Sequence, residues 1–129
     1  MENNSFVIDS SVLVAFYDDR DVHHADALVV MKEIQGRNIF IHSYVVQEVA
    51  TILSYRFGPI LAKRFLEDVI NSENVTIPWT EVKKEIEFFN NLNKKISFTD
   101  TSLILLSKDK GIPLLTFDKQ IISLLRKIK

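Results

Sequence analysis

Four short apolar runs, Phe6-Val7-Ile8, Ile39-Phe40-Ile41, Val75-Thr76-Ile77 and Leu114-Leu115-Thr116, are separated by longer stretches with helical spacing. Runs so short, rich in β-branched and aromatic residues, read as buried strands. A strand joined to the next through a helix pairs with it in parallel, because a tight hairpin cannot make that return. Strands apolar on both sides need helices over both faces of their sheet. The pattern therefore predicts an α/β fold.

The punctuation between the runs fixes the rest of the order. A strand spans about Phe6 to Asp9, and a helix follows from Ser11 to about Tyr17. A second helix, Val22 to about Gln35, stops at Gly36. After Ile39–Ile41, Ser43 is expected to cap a helix whose apolar positions Val46, Val49, Ala50, Leu53 and Phe57 follow the helical period. Gly58-Pro59 ends it, and another helix runs to about Asn71. A strand at Val75–Ile77 precedes Pro78, and Glu81 to about Leu92 is amphipathic. Ser97, with Asp100 three residues on, has a capping-box pattern and opens a helix reaching about Lys108. Gly111-Ile112-Pro113 turns into Leu114–Thr116, and a final helix follows Asp118.

At 129 residues, 47% hydrophobic and 26% charged, the chain can bury a normal core as one domain, residues 1–129. The absence of cysteine excludes disulfide frameworks, thiolate zinc sites and cysteine nucleophiles. Apolar runs break well before the roughly 18 residues of a membrane span. Met1-Glu2-Asn3-Asn4 lacks the basic start and apolar stretch of a secretory signal. A soluble cytoplasmic protein with no membrane partner is expected. The net charge of -1 is uninformative, but its distribution is uneven. Residues 1–26 carry six acids and one base, whereas residues 94–129 carry eight bases and three acids. A basic C-terminal third suits phosphates; equally, Lys108, Arg126 and Lys127 can simply solvate helices.

Four acids stand out by their settings. Asp9 ends an apolar run, Glu48 lies within Val45-Val46-Gln47-Glu48-Val49-Ala50, Asp100 follows Ser97-Phe98-Thr99, and Asp118 follows Leu114-Leu115-Thr116-Phe117. Burying an unpaired carboxylate costs several kcal/mol, on the order of its lost solvation. In open parallel sheets ligands bind beyond the carboxyl ends of the strands, where strand order reverses. Asp9 and Asp118 both reach that edge, Asp100 lies in the first turn of its helix, and Glu48 sits beside an apolar stripe. Ionised carboxylates gathered there repel one another unless a cation intervenes. An all-oxygen set suits Mg²⁺ or Mn²⁺, as one ion or as a pair about 4 Å apart. Thr116, Ser11 and Ser10 are candidates to hydrogen-bond water on such an ion. Each acid also has an ordinary reading: Asp9 and Asp118 as helix N-caps, Asp100 as half of a capping box, Glu48 as a partly exposed helix acid.

At these residues the chain resembles the VapC-like toxin ribonucleases of the PIN-domain family. The likeness lies in Val7-Ile8-Asp9-Ser10-Ser11-Val12-Leu13, in Ser43 through Glu48-Val49, in Phe98-Thr99-Asp100-Thr101-Ser102-Leu103-Ile104 and in Leu115-Thr116-Phe117-Asp118-Lys119. It spans nearly the whole chain. It implies a Rossmann-like domain with a central parallel sheet of four or five strands flanked by helices. It further implies Mg²⁺- or Mn²⁺-dependent hydrolysis of RNA, leaving a 5′-phosphate and a 3′-hydroxyl. Asp9, Asp100 and Asp118 would hold the ion, and Glu48 a second ion or the attacking water. Homodimers and a small antitoxin partner are also implied. Two features depart from the family: Ile121 stands where an aromatic is frequent, and only about Arg126 to Lys129 remain for a closing strand.

Other motifs carry less. His23 and His24 diverge by roughly 100° on a helix and do not share an ion easily; with His42 they read as surface or capping histidines. Trp79 and the nine phenylalanines read mostly as core, with Phe88-Phe89 the candidates to meet a second subunit. No glycine-rich phosphate loop or dinucleotide fingerprint is present. Two rival functions are a non-catalytic scaffold of the same fold and a response-regulator receiver using Asp18-Asp19. Against the receiver, no aspartate ends the Ile39 or Val75 strand.

Overall fold

The computed structural model describes residues 4–128. Residues 1–3, part of the stretch read above for a secretory signal, and residue 129 lie outside that description. In chain order the elements are β1 (Ser5–Ile8), α1 (Ser10–Tyr17), α2 (His24–Glu33), β2 (Asn38–Phe40), α3 (Ser43–Phe57), α4 (Pro59–Asn71), β3 (Val75–Thr76), α5 (Val82–Leu92), α6 (Phe98–Lys110), β4 (Leu114–Leu115) and α7 (Lys119–Lys127). All four strands pair in parallel, in the order β3-β2-β1-β4. The expected α/β class and strand positions hold.

That order decides where a ligand can sit. The chain steps from β1 to β2 to β3 in one direction and then returns past β1 to β4. Right-handed crossovers consequently lay α1 to α4 over one face and α5 and α6 over the other. The helices pack accordingly, α1 with α2 and α3, α3 with α4, and α5 with α6. The reversal falls between β1 and β4, whose register pairs Val7 with Leu114 and Ile8 with Leu115. Val7, Ile8, Val45, Val49, Leu53, Phe65, Leu103, Ile104 and Ile121 form the fully enclosed centre of the core.

The α3–α4 break works as expected: Gly58 takes φ 86°, a left-handed value, and Pro59 starts α4 at its first position. One local expectation is corrected. Ser43 is not the cap of α3; the His42 ring is, its Nδ1 accepting from the Tyr44 N–H at 3.1 Å. The sheet has four strands among the described residues, within the four or five expected, and α7 occupies 119–127 as the final helix expected after Asp118. Lys119 to Lys127 place Ile121 and Leu124 inward on one helical face, a spacing that a strand would have split between two. Among the described residues no helix is long and apolar enough to cross a membrane.

Candidate active site

Asp9 leaves the C-terminal end of β1 and occupies the N-cap position of α1, yet its side chain makes no capping hydrogen bond. Its backbone N–H extends the β1–β4 ladder to Leu115 O at 2.9 Å, which sets Asp9 beside Thr116. The carboxylate is 3% exposed. Its Oδ2 accepts from the Thr116 hydroxyl at 2.7 Å and from the Ser11 hydroxyl at 2.8 Å. Among the described residues only a marginal 3.5 Å contact from Ser10 reaches Oδ1. The two hydroxyls are themselves fixed, since Ser11 Oγ accepts from the Phe117 N–H at 3.0 Å and Thr116 Oγ1 from the Asp118 N–H at 2.9 Å. One carboxylate oxygen is thus clamped and the other is left with acceptor capacity to spare.

Asp118 does cap its helix, with Oδ1 accepting from the Gln120 and Ile121 N–H groups at 2.8 and 3.2 Å. Ser97 caps α6 as expected, accepting from the Asp100 N–H at 3.0 Å. Burial pushes the Asp100 carboxyl up to about 6, and the charge of Asp9 adds to the rise. Its hydrogen bond with Ser97 works in the opposite direction, while Asp118 and Glu48 raise it further. Glu48 is exposed on α3, at the rim. The negative fields of Asp9, Glu48 and Asp118 therefore all fall on Asp100.

Among the described residues, no three acidic or histidine side chains already enclose a point at which an ion would be held. Coulombic coupling reaches much farther than the coordination distance of about 2.1 Å, and uncompensated carboxylates keep apart. The donor chemistry nonetheless fits a hard divalent cation. It consists of oxygens alone, one of them on Asp9 with acceptor capacity to spare, and burial, joined by the negative charge of Asp9, Asp118 and Glu48, shifts Asp100 toward its protonated form.

One polar cluster escaped the sequence reading. His42 and Glu85, 43 residues apart, are 0% and 2% exposed and lie 2.6 Å apart through Nε2 and Oε2. Because Nδ1 accepts from Tyr44, the ring proton resides on Nε2 and is donated to Glu85; the contact is a hydrogen bond rather than an ion pair. Glu85 Oε1 accepts from the Tyr44 hydroxyl at 2.6 Å, and that bond, followed by burial, pushes the Tyr44 phenol up to about 12. His42 is a cap but not a surface residue. The only sequence signal was its place directly after a buried strand.

The remaining candidates serve structure. Asp18 is buried at the end of α1, and burial alone would raise its carboxyl. Hydrogen bonds from the Arg20 N–H at 2.9 Å and Arg56 Nη1 at 2.9 Å outweigh that and hold it below the usual range. The Asp18-Asp19 pair is therefore no receiver site. Phe89 packs edge-on against Phe98, and Lys108 lies over Phe88, so both phenylalanines have partners within the chain. Lys110 covers Phe40, so two bases of the C-terminal third lie against aromatic rings. His23 stacks on Phe117, and His24 Nδ1 lies 2.7 Å from Ala15 O.

Comparison with known proteins agrees with this architecture. A VapC ribonuclease of Archaeoglobus fulgidus is 27% identical over 122 residues, covering 88% of this chain and 77% of that protein. The crystal structure of VapC20 from Mycobacterium tuberculosis, described as a toxin cleaving the sarcin–ricin loop, superposes with a TM-score of 0.79. At 19% identity, covering 92% of this chain and 94% of that one, it shares the fold. The family model for the PIN domain matches residues 6–127, a span that includes both strand ends of the reversal point, and this chain belongs to the PIN-domain family.

Proposed function

We propose that this chain is a Mg²⁺- or Mn²⁺-dependent ribonuclease that hydrolyses RNA phosphodiesters at the β1–β4 edge. The observation that carries this reading is Asp9: a buried carboxylate at the strand reversal, turned away from capping its own helix, with one oxygen clamped and the other spare. Asp9, Asp100 and Asp118 would hold the ion, and Glu48 a second ion or the attacking water. A bound divalent cation supplies charge neutralisation for the phosphate and lowers the pKa of water. Ser11 and Thr116 keep the Asp9 carboxylate from rotating, a positioning role rather than direct contact with the ion. Glu48, at the exposed rim, is placed to orient water entering from solvent.

The substrate class follows from the named relative, a VapC ribonuclease. Lys94, Lys95 and Lys127, which line a groove with Gln120 at the start of α7, add cations suited to an RNA backbone. On the same analogy the protein would be a single-domain cytoplasmic toxin, homodimeric and held by a small antitoxin.

The test is calorimetric titration of Mn²⁺ into the wild type and Asp100→Asn, followed by RNA cleavage with the same samples. Binding and cleavage are expected in the wild type and lost together in the variant. A wild type that binds no Mn²⁺ would overturn the metal site. Undiminished cleavage by Asp100→Asn would remove Asp100 from it.

A further inference from the structure

Between α3 and the start of α6 runs an open groove of about 420 Å³, lined by Tyr44, Gln47, Glu48, Thr51, Phe98 and Thr99. Glu48 ties it to the proposed acidic site, since it lines the groove and its charge acts on Asp100, which directly follows the lining residue Thr99. Tyr44, Gln47, Glu48 and Thr51 recur at helical spacing of three and four, so they form one ridge along α3. The facing wall is aromatic and held in place. Phe98 lies 6.0 Å from the Tyr44 ring and 5.6 Å from Phe89. Tyr44 is pinned by its hydroxyl to Glu85 and rests 4.1 Å from the His42 ring. The buried cluster that the metal chemistry does not use thus rigidifies a side wall of this groove.

We propose that the groove is a nucleobase subsite, which takes one unpaired RNA base flanking the scissile phosphate and reads it with Gln47. This rests on the ribonuclease reading and adds where specificity lies. Unpaired bases are recognised by stacking on aromatic side chains together with hydrogen bonds to their edges. Tyr44 and Phe98 supply rings that are only partly buried. Gln47, exposed on α3, supplies an amide that both donates and accepts, and Thr51 a hydroxyl one turn farther along. The hydroxyl of Tyr44 is already committed to Glu85, so edge recognition falls to Gln47 and Thr51. The acids at one end of the groove meet the phosphate while the base lies along α3.

The experiment is cleavage, in Mn²⁺, of a single-stranded RNA pool randomised at every position, with sequencing of the new ends. The wild type should show a base bias of about tenfold or more at a position beside the cut, the scale of one well-placed amide–base pair. Gln47→Ala should flatten that ratio toward unity. Gln47→Glu, which replaces the amide donor by a second acceptor, should move the bias toward cytosine, whose exocyclic amine donates. Both substitutions lie on an exposed helical face, so folding is preserved, which circular dichroism checks. A bias that persists unchanged in both variants, or a wild type that cuts without bias, would overturn the subsite while leaving the ribonuclease reading intact. A wild type that cuts no RNA in the pool would overturn both.

Discussion

At the scale of single residues, the decisive arrangement is the unequal treatment of the two Asp9 oxygens. Thr116→Val keeps the shape of the side chain but removes one donor to Oδ2 and the acceptor of the Asp118 N–H. Denaturant unfolding should show a loss of about 1–3 kcal/mol, the cost of leaving buried polar groups unpaired. Thr116→Ser, which keeps the hydroxyl, should recover most of it, whereas equal losses in both variants would refute the clamp. Asp100 titrates in the opposite sense to a stabilising acid. Its folded-state carboxyl lies at about 6 against an ordinary 3.8, so the folded chain holds that proton more tightly than the unfolded chain. Stability from this group is present at low pH and lost as pH rises through that interval. In chelator at pH 7, Asp100→Asn should therefore be more stable by about 1 kcal/mol, the full shift being discounted for partial exposure. The gain should vanish below about pH 4; thermal melts across that range decide it.

At the scale of elements, α5 is the informative case. Its sequence reads as an amphipathic helix, and it forms one, but its only fully buried side chain is Glu85. Val82 and Ile86, on the apolar side by sequence, remain 52% and 44% exposed. The helix is anchored by a carboxylate that accepts hydrogen bonds from His42 and Tyr44. Glu85→Ala leaves the buried His42 ring and the half-buried Tyr44 hydroxyl without their acceptor and should cost roughly 3 kcal/mol in urea unfolding. Glu85→Gln, which retains an acceptor oxygen, should cost distinctly less. Similar losses from the two would mean that packing, not this hydrogen-bonded cluster, holds α5 in place. The helices carrying the acids were easier to read, since Ser97 and Asp118 cap α6 and α7 by local hydrogen bonds that their own sequences specify.

At the scale of the whole molecule, the proposed site would gather the negative charge of Asp9, Glu48, Asp100 and Asp118 at one edge of the parallel sheet. Divalent ions should therefore stabilise the fold by mass action. At a Mg²⁺ concentration about 100 times the dissociation constant, the gain should be about 2.7 kcal/mol, read as a rise in Tm. Asp9→Asn should abolish that rise, because it removes the buried member of the set. An equal rise in wild type and variant would assign the effect to nonspecific screening.

Sequence alone determined the α/β class, the four strands and the helix breaks, because these depend on apolar period and turn chemistry within a few residues. It also placed Asp9 and Asp118 at strand ends, since a strand-to-helix junction is itself local. Tertiary structure decided which strand ends meet. The order β3-β2-β1-β4 sets Thr116 against Asp9 across 107 residues of chain. It gave Ser11 and Thr116, expected to hydrogen-bond water on an ion, hydrogen bonds to Asp9. It also joined His42 to Glu85. The reason is common to the Thr116–Asp9 and His42–Glu85 pairs: a hydrogen bond between side chains distant in sequence leaves no periodicity behind, and only the packed sheet specifies which donors face which acceptors.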